Sequence, residues 1–597
     1  MTHPSLTRRD LLRRSGMTAG ALAVAGAVPA IAVSAPTAAS AGAAGATATT
    51  ETMKLARVWV SRATSTLIAD FDDTHMRFAD GSVEVLLWPG DLARLQATGL
   101  KFEVTVADLV ARDAALYRDR AGVSTVALQP GQTATGAYRR LADFERELRE
   151  LVANHPTKAR LIELPLKTLE KRTVYGIEIA TDVANDDGRP VFYTDGCHHA
   201  REWPAAELPL MFAYDLLGSY GTDPRITNIV DNVRTIIVPV VNPDGYNHSR
   251  ESLVQLDNTQ DPTTDGGVVF GDDLILLALS VAPPGGLESY WRKNRRSYFG
   301  THLGAGTVEL ERAKPGNADV YGVDPNRNYG YSWGDNQGGS TAEQTSQSHR
   351  GATPFSDAEA GNVAHVIRSR QPLALITNHT AGDLVLWPWG DTTDDAPDND
   401  LLQGLGEQMA AINGYTAQKS IGLYPTTGTT IDHAYGTAGT IGYTFEHAGA
   451  SFHPPYLDTV PAMYALNRQA FLLLIEQICL APATHAVISG RLVDEAGNGV
   501  AGTVRLYKEF DTLLWREGDG GNPTGMTSYR ETLNATIATA SDGTFAWHVN
   551  PSTRPAVASA GDTETYELTL KVGGAGLTRD IAIARGETLD LGDIRIV

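Results

Sequence analysis

The string YTDGCHHAREW, at residues 193–203, places two kinds of metal-binding side chain close together. His199 and Glu202 are separated by two residues, so an imidazole nitrogen and a carboxylate oxygen can reach one ion at about 2.0 to 2.2 Å. His198 does not fit this spacing, because the residue three positions after it is Arg201. A His-x-x-Glu pair alone is weak evidence for a metal site, so other parts of the chain must supply further ligands.

Four later strings offer the groups that hydrolysis at a metal would need. LALITNH ends an apolar run in His379, which is either a third ligand or a hydrogen-bonded core histidine. TIGYTFE ends another run in Glu446, which is either a catalytic carboxylate or a capping or solvated side chain. Arg292 lies among basic residues in SYWRKNRR, and the loop GVDPNRNYG carries Asn326 and Arg327.

The sequence around this cluster predicts a strand that turns into a helix. Val191 to Thr194 is typical of a strand end, and the apolar periodicity after Pro204 is typical of a helix. In an open α/β sheet such turns lie at the carboxyl edge, where sites form. Because apolar strands alternate with helical segments over residues 138–481, we predict an α/β fold: a mixed central sheet with helices on both faces.

Smaller units are predicted on either side of this region. Residues 55–128 contain three β-like runs, around VWVS, SVEVLLW and KFEVTV. PGDLARLQATG lies between the last two, which predicts a small α/β unit with a strand-helix-strand order. Residues 485–597 contain short alternating runs between Gly, Asp and Asn turns, which predicts an all-β sandwich. The stretch 251–319 is a long insertion that could be a substrate-restricting rim, a calcium loop or a solvated segment.

Residues 1–46 have the pattern of an export signal followed by a low-complexity segment. Arg8 and Arg9 precede a weakly apolar stretch, residues 16–35, that ends in small residues and Pro36. This order predicts a twin-arginine signal peptide rather than a membrane anchor. We therefore expect a secreted, extracellular protein with no stable membrane span.

Length and composition narrow the function classes. A chain of 597 residues is long enough for several units, and its formal charge of −21 disfavours binding to nucleic acid. The two cysteines, Cys197 and Cys479, cannot form a disulfide framework, and the sequence does not decide whether they pair. Stability must come from packing.

The motifs HAREW, NPDGY, WRK, DPNRN, NH, LYPTTGTTID and TFE occur in an order that resembles the metallocarboxypeptidase family of carboxypeptidases A and B. The resemblance covers residues 138–481 and implies a zinc exopeptidase acting on the C-terminal ends of peptides or proteins. It implies one Zn²⁺ per catalytic domain, with His199, Glu202 and His379 as ligands. Such a site leaves zinc one position for a water molecule, whose pKa the metal lowers toward about 7.

The resemblance also implies the catalytic and orienting groups. Glu446 matches the general base that takes the proton of the attacking water. Arg292 matches the cation that stabilises charge on the carbonyl oxygen. Asp324 matches the carboxylate that orients a zinc-bound histidine through its other ring nitrogen.

The substrate contacts follow from the same resemblance. Asn326 and Arg327 match the pair that binds the terminal carboxylate, because a guanidinium can bind it through two parallel hydrogen bonds. Tyr424 matches a mobile tyrosine that closes over the bound end, and Arg201 matches a further subsite contact. Ile431 matches the main position of the side-chain pocket, and an apolar residue there favours apolar or aromatic C-terminal residues.

The sequence is compatible with two roles for the N-terminal unit and with two rival functions. Residues 55–128 resemble the family's activation domain, so the protein is either a zymogen inhibited by this unit or carries it as a permanent accessory. Residues 485–597 resemble a transthyretin-like sandwich. One rival function is a zinc amidase or deacylase of the same fold acting on cell-wall peptides, and the other is a catalytically inactive extracellular binding protein.

Overall fold

The computed structural model describes residues 52–61, 64–68, 71–78, 80–119, 129–133, 137–251, 287–296, 322–334, 338–344, 346–449, 451–512, 526, 528–551 and 563–596. The predicted signal segment, residues 1–46, lies outside the described residues. Nearly all of the 251–319 insertion does so too, since only residues 251 and 287–296 of that stretch are described.

A mixed sheet forms the centre of the described chain, in the spatial order β11-β10-β12-β9-β7-β8-β6-β5. Its strands β7, β8, β9 and β12 run parallel to one another, whereas β5, β6 and β10 each make antiparallel pairs. The predicted fold class is therefore confirmed. The strands are β5 (Ala159–Glu163), β6 (Tyr175–Ile179), β7 (Val191–Gly196), β8 (Arg234–Val238), β9 (Ala374–Thr380), β10 (Leu384–Trp387), β11 (Thr416–Lys419) and β12 (Ile441–His447).

Side chains of this sheet alternate between two apolar layers, as expected for strands covered on both faces. Phe192 and Ile237 pack in one layer, while their neighbours Tyr193 and Ile236 pack in the other. The helices within residues 138–481 are α3 (Leu141–Asn154), α4 (Trp203–Gly218), α5 (Pro224–Asn232), α6 (Pro243–Glu251), α7 (Ala358–Arg370), α8 (Asn399–Asn413), α9 (Thr430–Ala438) and α10 (Tyr456–Leu474), which continues as a π-helix over Ile475–Cys479.

The N-terminal unit is a small sheet in the order β2-β3-β1-β4 with two helices. Three of its strands and its first helix lie where the sequence predicts them, whereas β2 and the second helix were not predicted. The elements are β1 (Lys54–Trp59), β2 (Asp72–Arg77), β3 (Ser82–Leu87), α1 (Asp91–Ala97), β4 (Phe102–Val106) and α2 (Leu109–Asp119).

The C-terminal unit consists of two sheets, ordered β16-β13-β19 and β15-β14-β17-β18. Buried and exposed residues alternate along most of these strands, for example over the whole of β15, so one face of each sheet supplies the apolar layer between them. The strands are β13 (Ala486–Val493), β14 (Thr503–Asp511), β15 (Arg530–Ala538), β16 (Thr544–Val549), β17 (Thr563–Val572), β18 (Ala575–Ala584) and β19 (Thr588–Arg595).

The apolar layer inside the C-terminal unit is continuous with one layer of the central sheet. Ile488 and Leu568 of the C-terminal strands belong to the same buried cluster as Val363 of α7 and Ile431 of α9. The C-terminal unit is therefore packed directly against the region of the central sheet.

Both cysteines are buried and free, so the fold contains no disulfide between them. Burial raises the pKa of the Cys197 and Cys479 thiols, which keeps them protonated. Within the described residues, no helix has the length and apolar character needed to cross a membrane.

Candidate active site

The turn after β7 brings the first two metal-binding side chains to the carboxyl edge of the sheet. Gly196 ends the strand so close to α4 that a Cβ atom there would lie 1.9 Å from the Ala205 carbonyl oxygen. Only glycine allows this approach. The chain then reverses, and Glu202 occupies the position just before α4 begins at Trp203.

The side chains of His199, Glu202 and His379 converge, and all three are buried. His199 Nδ1 lies 2.7 Å from Glu202 Oε1, and His379 Nδ1 lies 3.0 Å from Glu202 Oε2. The two Nδ1 atoms are 3.2 Å apart. His379 is near the end of β9, the parallel neighbour of β7, which is why residues 180 positions apart in the chain meet here.

The chemistry of these donor atoms fits a bound cation. Asp324 Oδ1 lies 3.1 Å from Nε2 of His199, so the proton of this imidazole belongs on Nε2. Nδ1 of His199 then carries a lone pair and points at the Glu202 carboxylate, so two electron-pair donors face each other. A cation between them would stabilise this arrangement. The separation of the two Nδ1 atoms matches tetrahedral zinc, for which ligand distances of about 2.0 to 2.1 Å place two nitrogens about 3.3 Å apart.

Electrostatics in the cluster also favour an ionised carboxylate. Burial alone would raise the pKa of Glu202, but His199 and His379 lower it well below its usual range. The Thr380 backbone N–H donates to Glu202 Oε2 at 3.2 Å and fixes this oxygen.

Asp324 connects the histidine to the predicted oxyanion arginine. Its Oδ2 accepts hydrogen bonds from Arg292 Nη2 at 2.9 Å and Nε at 3.2 Å, and its Oδ1 accepts from the Asn326 N–H at 2.9 Å. Burial alone would raise the pKa of Asp324, but Arg292 and His199 lower it well below its usual range. Arg292 is thus held, buried and charged, beside the metal-binding cluster.

Glu446 lies beside the cluster at the carboxyl edge of β12. It is the direct register partner of His379 on the parallel strand β9, and neighbouring strands lie about 4.8 Å apart. Burial raises the pKa of Glu446 well above its usual range, and the charge of Glu202 raises it further, while Arg292 opposes the shift. The structure therefore brings a buried carboxyl group with an elevated pKa next to the three donors.

The predicted carboxylate-binding pair, Asn326 and Arg327, follows Asp324 in the chain and reaches His379 and Tyr424. Asn326 Nδ2 is 3.4 Å from Nε2 of His379, and its Oδ1 accepts hydrogen bonds from the N–H and hydroxyl of Thr430, both at 2.9 Å. Arg327 Nη2 donates to the Tyr424 hydroxyl at 3.3 Å. These contacts bring Asn326, Arg327 and Tyr424 into one group.

Ile431 lies one residue after Thr430 on α9 and is buried against the sheet. A Cβ atom on Gly442 of β12 would lie 3.6 Å from its Cγ2. The side chain is thus positioned by the same helix that hydrogen-bonds Asn326.

Arg201 differs from the other predicted site residues because its side chain forms an ion pair with the N-terminal unit. Both terminal nitrogens of Arg201 donate to the carboxylate of Asp72, one of them at 2.7 Å. Trp88 Nε1 donates to the same carboxylate at 3.0 Å, and the Arg201 guanidinium lies 4.2 Å from the Phe452 ring centroid. The sequence prediction did not include Asp72.

His198 is a second residue without a role in the sequence prediction. Its Nε2 lies 2.7 Å from the Tyr329 hydroxyl and 3.1 Å from that of Thr430, and its ring stacks on His379 at a centroid distance of 5.5 Å. The spacing argument that excluded His198 as a ligand agrees with these contacts, because its ring packs on the ligand candidate His379 and its Nε2 faces two hydroxyl groups.

Comparison with known proteins agrees with this geometry. The chain is 29% identical over 427 residues to a zinc carboxypeptidase of Saccharothrix mutabilis subsp. capreolus, which covers 67% of this chain and 85% of that protein. It is 24% identical over 366 residues to carboxypeptidase A4 of Mus musculus, covering 59% of this chain and 72% of that protein.

The fold is also similar to that of a solved carboxypeptidase structure. The crystal structure of the carboxypeptidase A from Helicoverpa armigera matches with a TM-score of 0.53 at 20% identity, over 72% of this chain and 99% of that chain. The family described as zinc carboxypeptidase matches residues 144–468, more than half of the sequence. The chain therefore belongs to the zinc carboxypeptidase family and is a metallocarboxypeptidase, a hydrolase that acts on peptides.

Proposed function

We propose that this enzyme removes single residues from the C-terminal ends of peptides and prefers apolar or aromatic ones. His199, Glu202 and His379 hold one zinc ion in this proposal. The observation that carries it is the convergence of two Nδ1 atoms and one carboxylate, within 3.2 Å of their neighbours, in a buried cluster at the sheet edge.

We assign each step of peptide hydrolysis to a side chain near this cluster. Zinc at this cluster supplies a Lewis acid that makes a water molecule nucleophilic near neutral pH. Glu446, the register partner of His379 at the same sheet edge, takes the proton of the attacking water and passes it to the leaving amine. Arg292, which Asp324 keeps charged and fixed, stabilises the negative charge that develops on the carbonyl oxygen.

In this proposal the group formed by Asn326, Arg327 and Tyr424 recognises the C-terminal end of the substrate. Arg327 and Asn326 bind the terminal carboxylate, and Tyr424 moves from the arginine to cover the bound residue. Ile431 lines the pocket for the departing side chain, and its apolar surface supports the proposed preference. Arg201 contacts the next part of the peptide once Asp72 leaves it.

The proposal is tested with two blocked dipeptides that differ only in a free or amidated C-terminal phenylalanine. We expect hydrolysis of the free acid alone, with stoichiometric zinc and complete loss of activity on chelation. Equal hydrolysis of the amide would instead favour a zinc amidase. Glu446→Gln should retain zinc while kcat falls by about 10² to 10⁴-fold, and a fully active variant would assign the base elsewhere.

We also propose that the N-terminal unit inhibits the enzyme. The bidentate contact between Asp72 and Arg201 occupies a predicted subsite residue. Arg77 of the same unit donates to the Leu423 carbonyl at 3.2 Å, and its guanidinium lies 5.4 Å from the Tyr424 ring centroid. The unit thus engages both a subsite arginine and the mobile tyrosine.

Removing the charge of Asp72 should release part of this inhibition. Breaking a buried ion pair from one side costs about 3 to 5 kcal/mol, so Asp72→Asn should raise the kcat/KM of the full chain by at least about tenfold. Glu103→Gln changes an exposed carboxylate of the same unit and is the matched control. Equal activity of both variants and the native chain would make the unit a permanent accessory.

The proposed domain boundaries and the export segment are those that the sequence pattern predicts. We propose that residues 55–128, 138–481 and 485–597 form an inhibitory unit, the catalytic domain and a transthyretin-like sandwich. We propose that residues 1–46 direct export, on the strength of the Arg8-Arg9 pair and the apolar stretch after it. Detection of the enzyme outside cells, and its loss when both arginines become lysine, tests this assignment.

A further inference from the structure

The C-terminal sandwich joins the catalytic region through more than its apolar layer. The Ala538 N–H donates to the Asp186 carbonyl at 2.7 Å, and the His548 N–H donates to the Gly188 carbonyl at 2.9 Å. These backbone hydrogen bonds add to the shared buried cluster, so the sandwich has a fixed position against α7 and α9. Its polar side chains at this interface can therefore act on the catalytic region.

Glu531, on β15, reaches the first half of α9. It is buried, its Oε2 lies 2.5 Å from Arg368 Nη1 of α7, and the same oxygen is 3.7 Å from His433 Nε2 of α9. The fully buried His433 ring packs on Phe355 at a centroid distance of 5.1 Å and on Tyr329 at 5.7 Å. The sandwich thus supplies one carboxylate that contacts side chains of both α7 and α9.

Asn550 reaches the other end of the same helix. α9 ends at Gly439, which has a φ of 67° and serves as its left-handed cap. Asn550 Nδ2 donates to the Gly439 carbonyl at 2.6 Å. A Cβ atom on Gly439 would lie 2.5 Å from the Asn550 backbone oxygen, so the two chains are in direct contact. Both ends of α9 are therefore held by the sandwich.

The segments held in this way carry the proposed substrate contacts. α9 presents Ile431 and the two Thr430 donors that fix the Asn326 carboxamide. Glu531 also touches the segment that follows Arg327, since a Cβ atom on Gly330 would lie 2.7 Å from its Oε1. Movement of the sandwich would shift the terminal-residue pocket from both sides.

We propose that Glu531 and Asn550 are positioning residues for the substrate's C-terminal residue, so that the sandwich is a functional part of the pocket. This proposal rests on the proposed carboxypeptidase function. It assigns binding, and not the chemical step, to the sandwich, because the contacts of Glu531 and Asn550 described above lead to the two helices and the cap of α9: they are with Arg368, His433 and Gly439.

The test uses Glu531→Gln and Asn550→Asp in the full chain. The first keeps the shape and removes the charge that binds Arg368, and the second replaces the donor to Gly439 with an acceptor. Thr536→Ala alters an exposed residue of β15 and is the control. Steady-state constants are measured with blocked dipeptides ending in phenylalanine or alanine, together with zinc content and the inhibition constant of free phenylalanine.

We expect each variant to raise KM and the phenylalanine inhibition constant by about tenfold, the effect of one lost hydrogen bond to a charged or buried group. kcat and zinc content should change less than twofold, and the preference for phenylalanine over alanine should fall. The milder variant Glu531→Asp, which keeps the charge on a shorter side chain, should lie between native and Glu531→Gln.

The inference is overturned if folded variants have native KM and selectivity, or if kcat and zinc content fall together while KM is unchanged. Either result would make the sandwich a folding support. If Glu531→Gln does not fold, the same test is made with Asn550→Asp and Glu531→Asp, by measuring their KM, kcat and phenylalanine inhibition constants. A native chain that releases no C-terminal phenylalanine would refute the proposed function itself, which separates the two failures.

Discussion

Replacing Arg327 with lysine tests how the enzyme would recognise a free C-terminus. In the structure its Nε donates to the Gly339 carbonyl at 2.6 Å, Nη1 to the Asn326 carbonyl at 2.8 Å, and Nη2 to the Tyr424 hydroxyl at 3.3 Å. A guanidinium has five N–H groups. Among the described residues, these bonds leave one N–H on each terminal nitrogen, which suits the two oxygens of a carboxylate.

Lysine keeps the positive charge but loses this fork. It can replace one of the two hydrogen bonds, and each bond to a charged group contributes about 1.5 to 3 kcal/mol. We therefore expect kcat/KM for a dipeptide with a free C-terminus to fall by about 10- to 150-fold, mainly through KM. The lost bond to Gly339 should lower the free energy of unfolding by only about 1 kcal/mol.

The assay compares the inhibition constants of phenylalanine and phenylalaninamide. The constant for phenylalanine should rise with KM, and that for the amide should not change, because the amide lacks the second carboxylate oxygen. Arg225→Lys, on the exposed surface of α5, serves as the control. Equal weakening of both inhibitors, or a fall in kcat at constant KM, would refute the assignment of Arg327 to the terminal carboxylate.

Three further predictions concern metal, specificity and pH. His379→Ala should abolish zinc binding, so added zinc should raise the Tm of the native protein but not of the variant; an equal shift in both would refute the ligand assignment. Ile431→Asp should raise the ratio of kcat/KM for lysine-ending over phenylalanine-ending substrates by at least about tenfold, and an unchanged ratio would place the pocket elsewhere. Burial alone would raise the pKa of Glu178, but Arg370, Arg234 and Arg160 lower it from 4.5 to about 2. Its ionised form then contributes about 3 kcal/mol above pH 4.5, a contribution lost as the pH falls through 2. In urea denaturation, Glu178→Gln should be less stable by about this amount at pH 7, with a gap that narrows below pH 4.5; a constant gap would contradict this reasoning.

The sequence predicts the central sheet and the convergence of its polar ends because both follow from local patterns. Apolar runs that end in His379 and Glu446 are typical of parallel strands, whose carboxyl ends meet at one edge. The structure has these residues as register partners on β9 and β12. The turn that carries His199 and Glu202 is visible from the strand before it and the proline after it.

The contacts between units are not visible in this way. β2, with the sequence DDTHMR, lacks the apolar alternation of a strand, and its partner Arg201 lies 129 residues from Asp72. β15 does contain a signal: Glu531 is in phase with the buried Leu533 and Ala535, which indicates an inward-facing carboxylate. A local pattern cannot tell which charge on another unit such a carboxylate will meet.

The free cysteines have a practical consequence for handling the protein. Because Cys197 and Cys479 are buried thiols, the folded chain needs no oxidising compartment and can mature in a reducing cytoplasm. Phosphine reductants should leave it intact during purification. Dithiol reductants can also bind zinc. If they inactivate the enzyme, we expect the cause to be loss of the metal and not reduction of a disulfide.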